Sequence, residues 1–230
     1  MAKLCYAIRK GRRQGIVYSW DECKDSVDGF KGAEYKGFDS EQDAYSYLNG
    51  VDFHKPTKTN KTYNVDIQAP NEGECNLYVD GAYRDGVSAF GIYLETYNKT
   101  YSYSGSVECT EYSNLRNILG EMLGIIVGVN IVDTNFKVVN IYYDYEGLYK
   151  WLTGEFKVKG EMQSKYVRTV LPIVTNSKTL YNFKWVKGHS GIKGNQTADR
   201  LAKRGLTYGS NLDINALLSG KINIEKLGGI

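Results

Sequence analysis

The chain has 230 residues, 42% of them hydrophobic and 24% charged, which excludes a disordered composition and allows one or two buried cores. The net charge of +3 is too small to announce a polyanion partner by itself. Its distribution says more: Lys3, Arg9, Lys10, Arg12 and Arg13 precede the first acidic residue of the chain. From the N-terminus, Leu4 to Ile8 alternates as a strand, a turn at Gly11 follows, and Gly15 to Tyr18 reads as a second strand. Ser19 and Glu22 form a capping box that predicts a helix from Trp20. Gly29 and Gly32 interrupt it, Glu34 to Phe38 reads as a third strand, and Ser40 N-caps a helix through Leu48. The first fifty residues thus form a small ββαβα unit, rich in aromatic residues.

The string KLCYAIRKGRRQGIVYSWDECKDSVDGFKGAEYKGFDSEQDAYSYL resembles the hybrid-binding domain at the N-terminus of many cellular ribonucleases H. Aromatic rings stack on bases or sugars and cations neutralise phosphates. The resemblance implies that Trp20 and Tyr35 line the path of a DNA strand, with Lys36 beside them. It also implies that backbone amides of Gly29 to Ala33 reach RNA 2′-hydroxyls. Gly37 departs from a second lysine common in the family, which weakens phosphate binding. The same aromatics can serve as core: Phe38 reads that way, and Tyr6, which fits either role, is kept among the contact residues.

Residues 51–73 lack a sustained period, hold two of the three prolines and read as a flexible linker. His54 falls there and carries no chemistry. A second domain is expected over residues 74–206. Cys75 to Asp80 reads as a strand ending in Asp-Gly, followed by strands Val87 to Glu95 and Thr100 to Val107. Ser113 to Asn130 reads as the main helix, with Ile118, Leu119, Met122, Leu123, Ile126 and Val127 on its apolar face. Gly120, Gly124 and Gly128 recur along it. Each costs about 1 kcal/mol against Ala, so the stripe predicts a helix pressed onto the sheet. Glu121 sits among these residues, where a carboxylate is costly unless paired or metal-bound. Lys137 to Tyr143 is the next strand and delivers Asp144 to its tip, where ligands bind in α/β sheets; an N-cap role for Asp144 is the plain alternative. Leu180 to Val186 alternates again. Gly188-His189-Ser190 forms a loop, and Asp199 lies one turn after Asn195 in a short helix, within its first turn. Residues 207–230 carry apolar positions but no motif.

The segment VKGHSGIKGNQTADRLA closely resembles the last active-site segment of type 1 ribonuclease H, which cuts the RNA strand of RNA–DNA hybrids. RNILGE and LYVDG match its other segments. The resemblance implies a mixed five-stranded α/β sheet flanked by helices, with Asp80, Glu121, Asp144 and Asp199 converging on one spot. Four acids together need cations, and oxygen-only ligands favour Mg²⁺, with Mn²⁺ as substitute, over zinc. Two such ions about 3.5–4 Å apart activate a water and stabilise the leaving oxygen, with Asp80 bridging them and 5′-phosphate and 3′-hydroxyl ends as products. His189 assists proton transfer or product release. Gly81 (through its backbone), Arg116 and Asn117 match the family's contacts to the hybrid; Ala82 and Ile118 depart from its usual Ser and Asn. The 44 residues between Asp144 and His189 hold WLTGEFKVKGEMQSKY instead of the basic handle of some relatives, so the N-terminal module is expected to supply affinity. The rival readings are a nuclease for another duplex and a non-catalytic hybrid- or double-stranded-RNA-binding protein; four intact carboxylates oppose the latter.

Cys5, Cys23, Cys75 and Cys109 show no CxxC spacing and read as free thiols in a reducing compartment. No apolar run approaches the roughly 18 residues that span a membrane. The expectation is a cytoplasmic chain with no membrane association and no obligate protein partner.

Overall fold

The computed structural model describes residues 3–39, 41–49, 67–108, 111–132, 135–209 and 211–228. Ser40, His54, Cys109 and residues 51–66 of the expected linker lie outside them. The chain divides into two compact units, residues 1–60 with 150–158 and residues 61–149 with 159–230.

The first unit follows the ββαβα order with β1 (Cys5–Lys10), β2 (Gly15–Val17), α1 (Trp20–Val27), β3 (Glu34–Phe38) and α2 (Glu41–Asn49). β1 is central and antiparallel to both neighbours. Its pleat sends Cys5 and Ala7 to one face, where Phe38 and Ala44 pack, and Ile8 to the other, against Cys23 and Val27 of α1. The capping box forms as expected: Glu22 N donates to Ser19 Oγ and Ser19 N to Glu22 Oε2, both at 3.2 Å.

The second unit holds β4 (Glu74–Arg84), β5 (Val87–Thr96), β6 (Thr100–Glu108), α3 (Asn117–Ile131), β7 (Val138–Tyr143), the start of α4 (Gly147–Leu152, divided after Tyr149), α5 (Glu161–Asn176), β8 (Leu180–Trp185), α6 (Lys193–Tyr208) and α7 (Ile214–Leu218). The sheet order is β6-β5-β4-β7-β8, antiparallel through β4 and parallel beyond it. This is the mixed five-stranded sheet expected. The glycine stripe of α3 lies on it: a Cβ at Gly120 would stand 2.1 Å from the Ala89 carbonyl oxygen, and one at Gly128 2.7 Å from Leu77 Cδ2. On the opposite face a Cβ at Gly91 would meet the Ala198 carbonyl of α6 at 2.1 Å.

Several local expectations change. β4 does not stop at Asp80, because Gly81 to Arg84 keep antiparallel partners on β5. The main helix does not start at Ser113: a 3-10 turn, Ser113–Leu115, ends at Arg116 with φ 50°, and α3 begins at Asn117. α4 begins at Gly147, so Asp144 does not cap it. α5 has no counterpart in the sequence reading; Pro172 lies inside it and interrupts the local helical signal. α6 is sixteen residues long and places Asp199 in its second turn.

Residues 211–228 acquire a structural role. Their two ends meet the outer edge of β6, where Leu212 N donates to Ser106 O at 2.8 Å and Gly228 N to Ser104 O at 2.9 Å, while Thr169 Oγ1 of α5 donates to the Leu218 carbonyl at the end of α7 at 3.0 Å. Leu217 and Leu227 are buried. The ends thus pair backbone groups at Ser104 and Ser106 that an edge strand would otherwise leave open.

Candidate active site

The parallel ladder between β4 and β7 ends at Tyr78 and Tyr142. Beyond that rung β4 continues with β5 alone, and a gap opens. Asp80 lies two residues past Tyr78 and Asp144 two residues past Tyr142, so the pleat turns both to one face of the sheet. Asp80 is in register with Gly91, where α6 packs close. Glu121 enters from α3, whose first turns press on Gly81: a Cβ there would stand 2.6 Å from Glu121 N. Carboxylate oxygens of Asp80, Glu121 and Asp144 all lie within 4.8 Å of one another.

Burying three acids together has an electrostatic consequence. Burial first, and the Asp144 charge next, push the Asp80 carboxyl from its ordinary 3.8 up to about 7. Burial and the charges of Asp144 and Asp80 hold Glu121, 2% exposed, well above the carboxylate range. Asp144 is also raised by burial, against a hydrogen bond with Glu121 and the charge of His189. All three therefore hold their protons more tightly than ordinary carboxyls, Asp80 up to about 7, and a cation that binds them must displace those protons. Oxygen-only donors in this arrangement suit a hard divalent cation.

Asp199 does not join this trio. Its Oδ2 accepts from Lys203 Nζ at 2.8 Å, an i,i+4 pair along α6, although its charge still acts on Asp80 and Asp144. His189 is exposed on the β8–α6 loop with φ 55°. The neighbouring Gly188 lies against Asp144, where a Cβ would stand 2.8 Å from Oδ2. Trp185, at the end of β8, donates from Nε1 to the Asp144 carbonyl at 2.7 Å. Sequence reading passed over Trp185 and Gly188, because only the register of β7 with β8 brings them to Asp144.

Of the other candidate contacts, Gly81 turns its side-chain position toward the backbone of α3. Arg116 and Asn117 are both exposed at the start of that helix. Ser88 Oγ donates to the Arg116 carbonyl at 3.0 Å.

In the first unit Trp20 and Tyr35 are 46% and 41% exposed. Their ring centroids are 6.1 Å apart, and Tyr6, half-buried, adds a third ring 5.4 Å from Trp20. Lys36 is not beside them. It pairs with Ala7 in register, so the pleat directs it to the opposite face, where Nζ lies 5.3 Å from the Phe38 ring centroid. The amides of Phe30 and Ala33 already donate to Val27 and Phe30 carbonyls within the turn.

Residues 72–207 match the RNase H family, and residues 5–48 match the Ribonuclease H1 N-terminal domain. The Ribonuclease H of Schizosaccharomyces pombe is 24% identical over 260 residues, covering 87% of this chain and 96% of that protein. The Ribonuclease H of Saccharomyces cerevisiae is 56% identical over 43 residues, 19% of this chain, and the match spans only 12% of that protein. RNase H1 from the halophilic archaeon Halobacterium salinarum NRC-1 superposes at a TM-score of 0.49 and 19% identity, over 58% of this chain and 97% of that one. The match over residues 72–207 takes in more than half the chain, from before β4 to the end of α6 short of one residue. It encloses the divergent strands, the helix glutamate and the histidine loop, and on that ground the chain belongs to the RNase H family.

Proposed function

We propose that the chain is a metal-dependent endoribonuclease that hydrolyses the RNA strand of RNA–DNA hybrids, leaving 5′-phosphate and 3′-hydroxyl ends. The observation that carries this reading is the trio Asp80, Glu121 and Asp144, buried within 4.8 Å of one another inside the matched segment. Three acids retained at such an electrostatic cost need a purpose beyond packing. Two Mg²⁺ ions, or Mn²⁺ in their place, would supply charge neutralisation, activation of a water and stabilisation of the leaving group when bound. Asp80, Glu121 and Asp144 would hold such ions, and Asp199 would join them once its side chain exchanges Lys203 for the site. His189, on its exposed turn, moves a proton at the reacting phosphate and helps the product depart.

Substrate choice falls to the surrounding surfaces. Arg116, Asn117 and the Gly81 backbone contact the hybrid beside the carboxylates. Tyr6, Trp20 and Tyr35 form an aromatic ledge on which bases or sugars stack, while Lys36, on the opposite face of the small sheet, neutralises phosphate there. The assignment of residues 1–50 to hybrid binding, 51–73 to a tether and 74–206 to catalysis belongs to this same reading. So does a cytoplasmic setting, consistent with free thiols at Cys5, Cys23 and Cys75. Among the described residues no helix is long and apolar enough to cross a membrane.

One assay tests the reading. The full chain is offered an RNA–DNA hybrid, an RNA duplex and a DNA duplex, each with and without Mg²⁺. Cleavage of the hybrid alone, and only with Mg²⁺, is expected. Preference for another duplex would assign a different nuclease, and hybrid binding without cleavage would assign a binding protein.

A further inference from the structure

Asp144 follows the last residue of β7, and α4 starts only at Gly147. The last ladder bond at this end runs from Val186 N to the Tyr143 carbonyl at 2.9 Å. The peptide group joining Asp144 to Tyr145 therefore lies outside both elements. Its two polar atoms are nevertheless held from opposite sides. The Asp144 carbonyl accepts from Trp185 Nε1 at 2.7 Å, and the Tyr145 N–H donates to Glu121 Oε2 at 3.2 Å.

We propose that Trp185 is a positioning residue that aligns Asp144 and Glu121 through this single peptide group. It touches no reacting atom. A peptide held at one end can still rotate about its flanking bonds and carry the Asp144 side chain with it. Held at both ends, its plane is set, and with it the starting direction of the Asp144 side chain and the place of one Glu121 oxygen. The two bonds also act in series: donation into the carbonyl polarises the amide, which strengthens the N–H as a donor to Glu121. That matters where two carboxylates must stand close against their own repulsion. β8 supplies the reach, since Trp185 is in register with Tyr143, one residue before Asp144. The indole N–H rather than the ring is what the role requires.

The inference rests on the reading that these carboxylates hold a divalent cation, and the experiment separates the two. Mg²⁺ and Mn²⁺ binding to the full chain is measured by calorimetry without nucleic acid, for the unaltered chain and for Trp185→Phe, which keeps a ring and removes the donor. Outer partners of metal ligands typically contribute about 10- to 100-fold in affinity, and about tenfold weaker binding is expected. A merely structural role would lower the melting temperature and leave ion affinity unchanged, which would overturn the inference. No ion binding by the unaltered chain would instead overturn the reading of the site, and this inference with it. A second measurement needs no change at Trp185. The chain has three tryptophans, so Trp20→Phe and Trp151→Phe identify the Trp185 indole signal in a ¹⁵N–¹H spectrum. That signal should shift with Mg²⁺ along the binding curve, and one that stays fixed at saturation would count against the proposal whatever Trp185→Phe does.

Discussion

Asp80 is 8% exposed, and that burial, first among the causes, lifts its carboxyl to about 7; substitution can separate its charge from its shape. Asp80→Asn preserves the shape and removes a ligand charge. Metal stabilisation of the transition state is worth several kcal/mol, and each 1.36 kcal/mol is tenfold, so cleavage should fall about 10³-fold or more. Hybrid binding should persist; full cleavage in this variant would remove Asp80 from the mechanism. His189→Ala should be milder, slowing turnover about 10- to 100-fold, the low end of acid–base contributions. The titration also predicts a pH dependence for the metal-free chain. The folded value of about 7 lies above the ordinary 3.8, so the native state holds a proton that the unfolded chain releases. The stability this contributes is fully present below 3.8 and is lost as pH rises through about 7. Glu121 and Asp144 shift in the same direction. Mg²⁺ should therefore raise the melting temperature much more at about pH 8 than at about pH 5, because binding displaces fewer protons there. Equal increments at the two pH values would contradict the titration.

Helix α3 positions Glu121 by close backbone approach, and Gly120 is where that approach is tightest. Gly→Ala in a helix interior gains about 1 kcal/mol of propensity. Here the added Cβ would lie 2.1 Å from the Ala89 carbonyl oxygen and 2.9 Å from Gly81 Cα, both backbone atoms with no side-chain freedom to yield. Overpacking costs about 1–3 kcal/mol even where side chains can adjust, so the clash wins. Gly120→Ala should lower the urea midpoint by the equivalent of about 2 kcal/mol. It should also reduce activity, since Glu121 is the next residue. A rise in the midpoint would mean that the helix can lift from the sheet without penalty. Arg116 makes a related point about elements. Its φ of 50° separates the 3-10 turn from α3, and the hydroxyl of Ser88 on β5 holds its carbonyl, so the sheet sets where the helix begins.

For the molecule as a whole, the exposed rings of Trp20 and Tyr35 and the buried carboxylates belong to different units, each with its own apolar clusters. Removing residues 1–50 should leave the metal centre active and raise KM for long hybrids. Tethering two modules raises avidity by about 10²- to 10⁴-fold through effective concentration, which bounds the loss. Trp20→Ala should reproduce part of it, because stacking is worth about 1–3 kcal/mol per base. Steady-state kinetics on a long hybrid compare the full chain with both variants. An unchanged KM in both would assign the first unit to another partner.

What the sequence determined by itself was whatever depends on neighbours a few residues apart. The Ser19–Glu22 box started α1, the run Glu34 to Phe38 after Gly32 read as β3, and the glycine stripe foretold how α3 meets the sheet. The carboxylates were legible as candidates because Asp80 and Asp144 stood at the ends of apolar runs and Glu121 inside one, within segments of a recognisable pattern. Tertiary structure decided what depends on register and reach. Lys3 and Lys10 look unopposed along the chain, yet they pair with Asp39 and Glu34 across the small sheet. Arg9 lies 4.0 Å from the Tyr47 ring centroid. Lys36 parted from Trp20 because one step along a strand reverses the face. β4 ran on through Asp80 because β5 continued to offer partners, whereas β7 did not, and that unequal pairing opens the gap the carboxylates fill. Asp199 stood apart because Lys203, one turn along α6, competes for it at short range. Trp185 reached Asp144, 41 residues before it, only through the register of β7 with β8. Local periodicity records the energies of adjacent residues; the contacts that assemble the site join residues whose separation in the chain leaves no period to read.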